Sequence, residues 1–175
     1  MTIRKLQPDE SLLYRALRLQ CLKTEPDYFG STYEEESSTP KLKFESWIEQ
    51  EDPDHIMFGA LDGEKLAGIV GFMRQERQRA RHRGEVVQMY VDASHRGQRV
   101  GEGLLRGLLN HAFTLEGVEQ VQLSVVAHNR AAIRLYERIG FRAFGVQPNY
   151  FKVGVHYFEQ QFMQLLKGDF LTENR

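Results

Sequence analysis

The sequence predicts a single α/β domain, on three observations. Apolar residues alternate along the chain between helical and strand periods. Neither an internal repeat nor a linker rich in Gly, Ser and Pro divides it. At 175 residues the chain is long enough to bury one full core and short for two. The domain is expected to run over residues 1–168, with 169–175 as a frayed C-terminal tail. A composition of 41% hydrophobic and 27% charged residues, 23 basic against 24 acidic, excludes a disordered tail, a collagen-like chain and a globally basic nucleic-acid wrapper. No apolar stretch follows the charges near Met1, and no apolar run approaches the ~18 residues of a membrane span. The expectation is a protein without a standard export signal or membrane span. Its one cysteine, Cys21, cannot form an internal disulfide and suits a reducing cytoplasm. With no histidine near it in sequence, it reads as a small buried hydrophobe.

Residues near 9 to 24 place Leu12, Leu13, Ala16, Leu17, Leu19 and Cys21 at helical spacings, and Phe44, Trp47 and Ile48 mark a second short helix. A loop with Pro26 and Gly30 lies between them. Strands from about His55 to Leu61 and Lys65 to Gln75 flank Asp62-Gly63, a dipeptide of tight hairpin turns. A third strand runs from Glu85 to Asp92 into a loop of Arg and Gly. The helix from about Arg99 to Leu115 carries an apolar stripe of Val100, Leu104, Leu108 and Ala112. Then come a strand from Glu119 to Val126 and a helix from Asn129 to Ile139, which Gly140 is expected to cap in the left-handed conformation. Two last strands, Phe141 to Val146 and His156 to Leu166, are expected to join through a loop holding Pro148 and Asn149.

The segment from Val91 to Leu104 is a strand, a small-residue loop and an amphipathic helix. A helix start leaves backbone N–H groups without partners and concentrates positive partial charge, so a phosphate fits there if no side chain blocks it. Two phosphate loops are excluded: Walker A needs Gly-Lys-Ser/Thr, and the dinucleotide pattern G-x-G-x-x-G requires glycine where Arg106 stands. On its glycines alone the segment also reads as a simple connector.

Its neighbours add to that. The loop, followed after the next strand by Asn129 opening a helix and Tyr136 seven residues on, resembles the GNAT superfamily of acyl-CoA-dependent N-acyltransferases, in its bacterial small-substrate form. The family pattern R/Q-x-x-G-x-G/A fits in two frames. Gln98-x-x-Gly101-x-Gly103 matches literally, whereas Arg96-x-x-Arg99-x-Gly101 places Arg where the family has Gly but keeps the family spacing from Val91 and from Leu104-Leu105. The second frame is preferred, and a right-handed helical backbone at Arg99 would tolerate its side chain.

The resemblance implies the GNAT fold: one mixed, mostly antiparallel sheet splayed between the fourth and fifth strands and flanked by helices. It implies acetyl-CoA as co-substrate, no metal, and transfer of the acetyl group to a primary amine. The cofactor-contacting positions it implies are Met89, Tyr90, Val91, Arg96, Gly97, Gln98, Arg99, Val100, Gly101, Glu102, Asn129 and Tyr136. Among them the N–H groups from Gly97 to Glu102 hold the pyrophosphate, and Met89 and Val91 pair through their backbones with the pantetheine arm. The N–H of Met89 then polarises the thioester carbonyl. Glu85, expected on the same strand face as Met89, matches the position of some members' general base, though a solvated strand-start glutamate explains it as well. Tyr136 is implied as the acid for the leaving thiolate, and Asn129 is in any case a complete helix N-cap.

Phe29, Ser31, Tyr33 and Glu34 lie in a segment resembling the family's acceptor loop, and the carboxylates of Glu34, Glu35 and Glu36 lean toward a cationic acceptor or serve a helix start. The six histidines are scattered without metal-ligand spacing. The arginine-rich run from Arg74 to Arg83 reads as a solvated hairpin tip, with no aromatic interleaved to favour RNA. The expected partner is therefore a small-molecule amine, with neither nucleic acid nor membrane, in the cytoplasm, and with a homodimer possible. Competing readings are acetylation of a protein amino terminus or lysine, a non-catalytic acyl-CoA sensor, and a nucleotide-binding module.

Overall fold

The computed structural model describes residues 1–173. Seven strands form one sheet: β1 (Thr2–Lys5), β2 (His55–Asp62), β3 (Lys65–Arg74), β4 (Arg83–Val91), β5 (Gln120–Val126), β6 (Arg142–Val153) and β7 (His156–Leu166). Their order is β1-β2-β3-β4-β5-β7-β6. Every pairing is antiparallel except β4 with β5. A parallel pair needs a long crossover, and the helix α4 (Val100–Ala112) supplies it. The remaining helices are α1 (Ser11–Thr24), α2 (Tyr33–Ser38), α3 (Lys43–Glu49), α5 (Arg130–Ile139) and α6 (Lys167–Glu173).

Each face of the sheet carries its own core. Leu104, Leu105, Leu108 and Leu109 of α4 and Ile133 and Ile139 of α5 bury against Val121 and Leu123 of β5. Burying each leucine is worth roughly 1.5–3 kcal/mol, which is why the apolar stripe of α4 is so legible in sequence. On the opposite face Leu17 and Cys21 of α1 and Phe44 and Ile48 of α3 cover Ile69 and Tyr90. Burial pushes the Cys21 thiol up to about 12, so it stays an inert apolar group, as expected from its surroundings in sequence. Ion pairs fasten the short helices to α1: Arg18, itself buried, grips Glu36 through Nε and Nη2 at 2.9 and 2.7 Å, and Arg15 meets Glu45 at 2.7 Å.

The decisive irregularity is in β4. Between Val87 and Tyr90 that strand takes three steps while β3 takes two, from Gly71 to Ile69. The extra residue is a β-bulge, with Gln88 at φ +53°. Because side chains alternate with a period of two, one extra residue inverts the facing of everything beyond it. Val87 packs toward the α1/α3 core, and Met89 and Val91 toward the α4/α5 core. Glu85, in register with Met73 and two residues before Val87, therefore lies on the face opposite the Met89 side chain, and the same-face expectation is corrected. The bulge also ends the β4–β5 pairing at Val86 and Leu123, beyond which the two strands splay as the family resemblance implied.

Other elements depart from expectation for local reasons. Strand β1 went unseen because Thr2-Ile3-Arg4-Lys5 has one apolar residue and shows no periodicity. Helix α2 provides the helix start offered for Glu34, Glu35 and Glu36, and Thr32-x-x-Glu35 closes a reciprocal capping box at its beginning. Strand β6 continues through Pro148 and Asn149, which sit in an irregularity between Gln147 and Phe151 rather than in the connecting loop. The β2–β3 turn is centred on Gly63-Glu64, one residue later than expected, since Asp62 pairs with Lys65. The frayed tail is corrected over residues 169–173: they lie within α6, and Phe170 is 1% exposed, its ring 5.5 Å from that of Phe113. Residues 174 and 175 of the expected tail lie outside the described residues. Replacing Phe170 by Ala is expected to cost about 3–5 kcal/mol in a urea titration, whereas a residue in a frayed tail would shift stability by less than about 0.5 kcal/mol.

Candidate acyl-donor cleft

The splay opens a cleft of about 600 Å³ between β4 and β5. One wall is the exposed half of β4. Backbone groups alternate in direction along a strand, and the N–H of Asp92 bonds back to Ala67 at 2.8 Å, so those of Met89 and Val91 point the other way, into the gap that β5 has left. An extended chain bearing amides can pair there as an added strand. The carbonyl of Val91 already accepts from Nε of Arg96 at 3.0 Å, while Nη2 of Arg96 holds Glu25 at 2.7 Å. This bridge ties the loop before α4 to the end of α1 and spends much of the guanidinium of Arg96 on the fold.

The second wall is the start of α4. Its first intrahelical bond of the described set is Gly103 N–H to Arg99 carbonyl at 3.0 Å, and no side chain caps the helix. The N–H groups of Val100, Gly101 and Glu102 therefore keep their hydrogens for an anion at the positive end of the helix. The glycines separate the two motif frames. A Cβ on Gly101 would come within 3.2 Å of Met89 Cε and 3.4 Å of Leu135 Cδ2, at the cleft wall, whereas one on Gly103 would strike Ile3 Cδ1 at 2.6 Å, on the far side of the helix. Gly101 lines the cleft. Gly103 instead makes room for β1, so the literal frame places its last glycine away from the gap. Arg99 is the N-cap and sits at φ +59°. The expectation of a right-handed helical backbone there is corrected: the chain turns through the left-handed region, where glycine is at ease and arginine is strained by about 1–2 kcal/mol.

Helix α5 closes the cleft. Asn129 caps it through Oδ1, accepting from the Ala132 N–H at 3.2 Å, so its side chain is committed to the helix. Tyr136, seven residues and about two turns further on, is buried to 6% exposure yet lines the cleft, and its hydroxyl has no hydrogen-bond partner among the described residues. Burial holds that phenol well above its ordinary range, so it stays a proton donor at neutral pH. Ala131, Ala132 and Leu135 complete this side.

Of the other expected site residues, Tyr90 and Gly97 line the cleft, but Gln98 turns its amide to the carbonyl of Ser94 at 3.3 Å. Glu85 lies outside the lining, beyond the point where the strands rejoin; burial raises the pKa of its carboxyl above the ordinary value of 4.5. Phe29 reaches the cleft, whereas Ser31, Tyr33 and Glu34 do not. Two carboxylates behind the cationic-acceptor reading serve the fold, Glu35 in the α2 capping box and Glu36 on Arg18. Arg74 and Arg81 of the arginine run are likewise tied to Asp54 at 3.3 and 2.8 Å. Sequence reasoning missed Gln88, Ser124, Glu25 and Tyr28, all of which line the cleft. Only the Tyr28 neighbourhood of the acceptor loop offered a signal. Among the described residues no group of three or more His, Cys, Asp or Glu side chains is placed to hold a metal, and no helix is long and apolar enough to cross a membrane.

The strain at Arg99 is directly testable. Arg99→Gly is expected to raise stability by about 0.5–1 kcal/mol, the relief of left-handed strain less the extra unfolded-state entropy of glycine. Arg99→Ala keeps the strain and is expected to leave the melting curve unmoved.

Known proteins share these features. The chain is 36% identical over 101 residues to the N-alpha-acetyltransferase RimI of Mycobacterium tuberculosis, covering 58% of this chain and 61% of that protein. It is 26% identical over 93 residues to the spermidine N(1)-acetyltransferase of Vibrio cholerae, covering 53% and 54%. The chain thus spans about three fifths or less of the length of these relatives. In fold it matches yncA of Salmonella typhimurium, solved with its cofactor acetyl-CoA, with a TM-score of 0.81 at 19% identity, over 95% of this chain and 93% of that one. It also matches an acetyltransferase of the GNAT family from Streptococcus pneumoniae, with a TM-score of 0.79 at 24% identity, over 94% and 98%. Residues 18–141, which hold the bulged strand, the uncapped helix start and Tyr136, match the model of the Acetyltransferase (GNAT) family, and the chain belongs to that family.

Proposed function

We propose that this protein transfers the acetyl group of acetyl-CoA to a primary amine, acting in the cytoplasm on a small molecule. The observation that carries the reading is the meeting, in one cleft, of an uncapped helix start and a strand edge whose amides face outward. A diphosphate suits the first and the two amides of a pantetheine arm suit the second. Acetyl-CoA would bring the acetyl group as a thioester, a reactive acyl form that needs no metal. The N–H groups of Val100, Gly101 and Glu102 hold the pyrophosphate, and the Met89 N–H donates to the thioester carbonyl, favouring the negative charge that grows there. The catalytic unit is the sheet and its helices together, residues 1–173, because α6 anchors in the main core.

An amine attacks only after losing its ammonium proton. Glu85 lies on the α1/α3 face, where Phe29 packs at the border of the cleft and the acceptor would enter. Four residues of strand separate it from Met89, roughly 13 Å at the usual rise, so it takes the proton through water rather than by contact. The amine nitrogen then bonds the carbonyl carbon, the C–S bond breaks, and the Tyr136 phenol gives its proton to the leaving sulfur, recovering one from the new amide nitrogen through solvent. The relatives named above act on different amines, so the acceptor is found by assay. Thiol release would be followed with spermidine, a peptide with a free amino terminus and an internal lysine peptide. Release with the small amine supports the reading, release with peptides alone moves it to protein acetylation, and binding without any release makes the protein a sensor.

Tyr136→Phe is expected to lower kcat by roughly 100-fold, the scale of a lost general acid, while acetyl-CoA affinity from calorimetry stays within about twofold. An unchanged kcat removes the assignment. Because burial raises the Glu85 pKa, the active carboxylate form is reached only at higher pH: the acid limb of kcat/KM is expected above 4.5 and rises with pH. Glu85→Gln should erase that limb, and a limb that persists assigns the base elsewhere.

A further inference from the structure

We propose that Tyr14 is a positioning residue for the acyl-donor site, acting through Gln88. Tyr14 is 1% exposed in the first turn of α1, and its hydroxyl donates to Oε1 of Gln88 at 2.9 Å across 74 residues of sequence. The ring is wedged beside Phe44, with centroids 6.0 Å apart, so the hydroxyl cannot drift. Gln88 is the bulge residue at φ +53°, a backbone state that glutamine adopts only under constraint, and it lines the cleft. The next peptide carries the Met89 N–H. A residue held left-handed fixes the plane of the peptide that follows it, so the direction of that N–H is set by the Tyr14–Gln88 bond.

The residue type at the bulge shows why a tether is needed. Glycine would enter the left-handed state at no steric cost, and this chain has Gln there. Without the bond, Gln88 relaxes toward an extended backbone, the bulge loses its fixed position, and the Met89 amide swings from the gap. The rest of the cleft is untouched, because the α4 start and α5 rest on the opposite core.

The inference rests on the assignment of the Met89 N–H to the thioester carbonyl, and the test separates the two. CoA and acetyl-CoA differ by the acetyl group alone, so the ratio of their dissociation constants reads the contact to its carbonyl without any acceptor. In the unaltered protein acetyl-CoA is expected to bind roughly three- to tenfold more tightly than CoA, the worth of one net hydrogen bond. Tyr14→Phe, which keeps the buried ring, is expected to bring the ratio to about one while the CoA constant stays within about twofold. Adding Gln88→Gly to Tyr14→Phe is expected to restore the ratio, since glycine adopts φ +53° with no steric strain for a tether to offset. A simple packing defect would not be rescued this way. If the unaltered protein binds both ligands equally, or neither, the assignment of the Met89 N–H fails and the inference with it. If it discriminates and Tyr14→Phe discriminates equally, or if the glycine fails to rescue, the inference alone is overturned.

Discussion

One surplus residue in β4 organises this molecule. Two neighbouring strands of unequal step count cannot stay flat, so the sheet accommodates Gln88 by bulging and by letting β4 leave β5 after Val86. From that mismatch come the cleft, the outward-facing amides of Met89 and Val91, and the inversion that sends Val87 to one core and Met89 to the other. An unpaired strand edge inside a sheet is ordinarily a liability. Here the edge lines a cleft that the start of α4 and helix α5 border.

The two helices that border the cleft end differently, and the difference follows from their first residues. Asn129 caps the start of α5 with its own side chain, which takes up the Ala132 N–H. Arg99 has no acceptor to offer the start of α4, and its left-handed backbone swings the chain away so that the N–H groups remain open. A helix start left unsatisfied at the mouth of a cleft is a stored preference for an anion. Nearby charge is divided: Arg96 is paired with Glu25 and braces the Val91 carbonyl, while Arg99 and Arg138 also line the cleft.

The proposed acid and base sit in contrasting surroundings. Tyr136 is enclosed by the α4/α5 core and remains a phenol because its anion would be stranded in apolar surroundings. Glu85 is partly buried on the other face, with desolvation alone acting on it, so it accepts a proton more readily than a surface glutamate. The bulge also sets Glu85 on the face opposite the Met89 side chain.

Much of this was legible in the residues. Long amphipathic patterns such as that of α4 survive any reasonable packing, and Asn129, Tyr136 and the loop before α4 pointed to the cleft before any coordinates. Short or irregular pieces were not: β1 is too brief for a period, α6 has one buried anchor in Phe170, and β6 runs through a proline that usually ends strands. The sequence by itself determined the alternation of elements, the two apolar faces and the family motifs, because these depend on spacings within ten or twenty residues. Only the tertiary structure decided which way Glu85 and Met89 face, which glycine meets the cleft and which meets Ile3, and that Gln88 is held left-handed by Tyr14. Each of these is a contact between distant segments, and a local pattern carries no record of the partner that strains it.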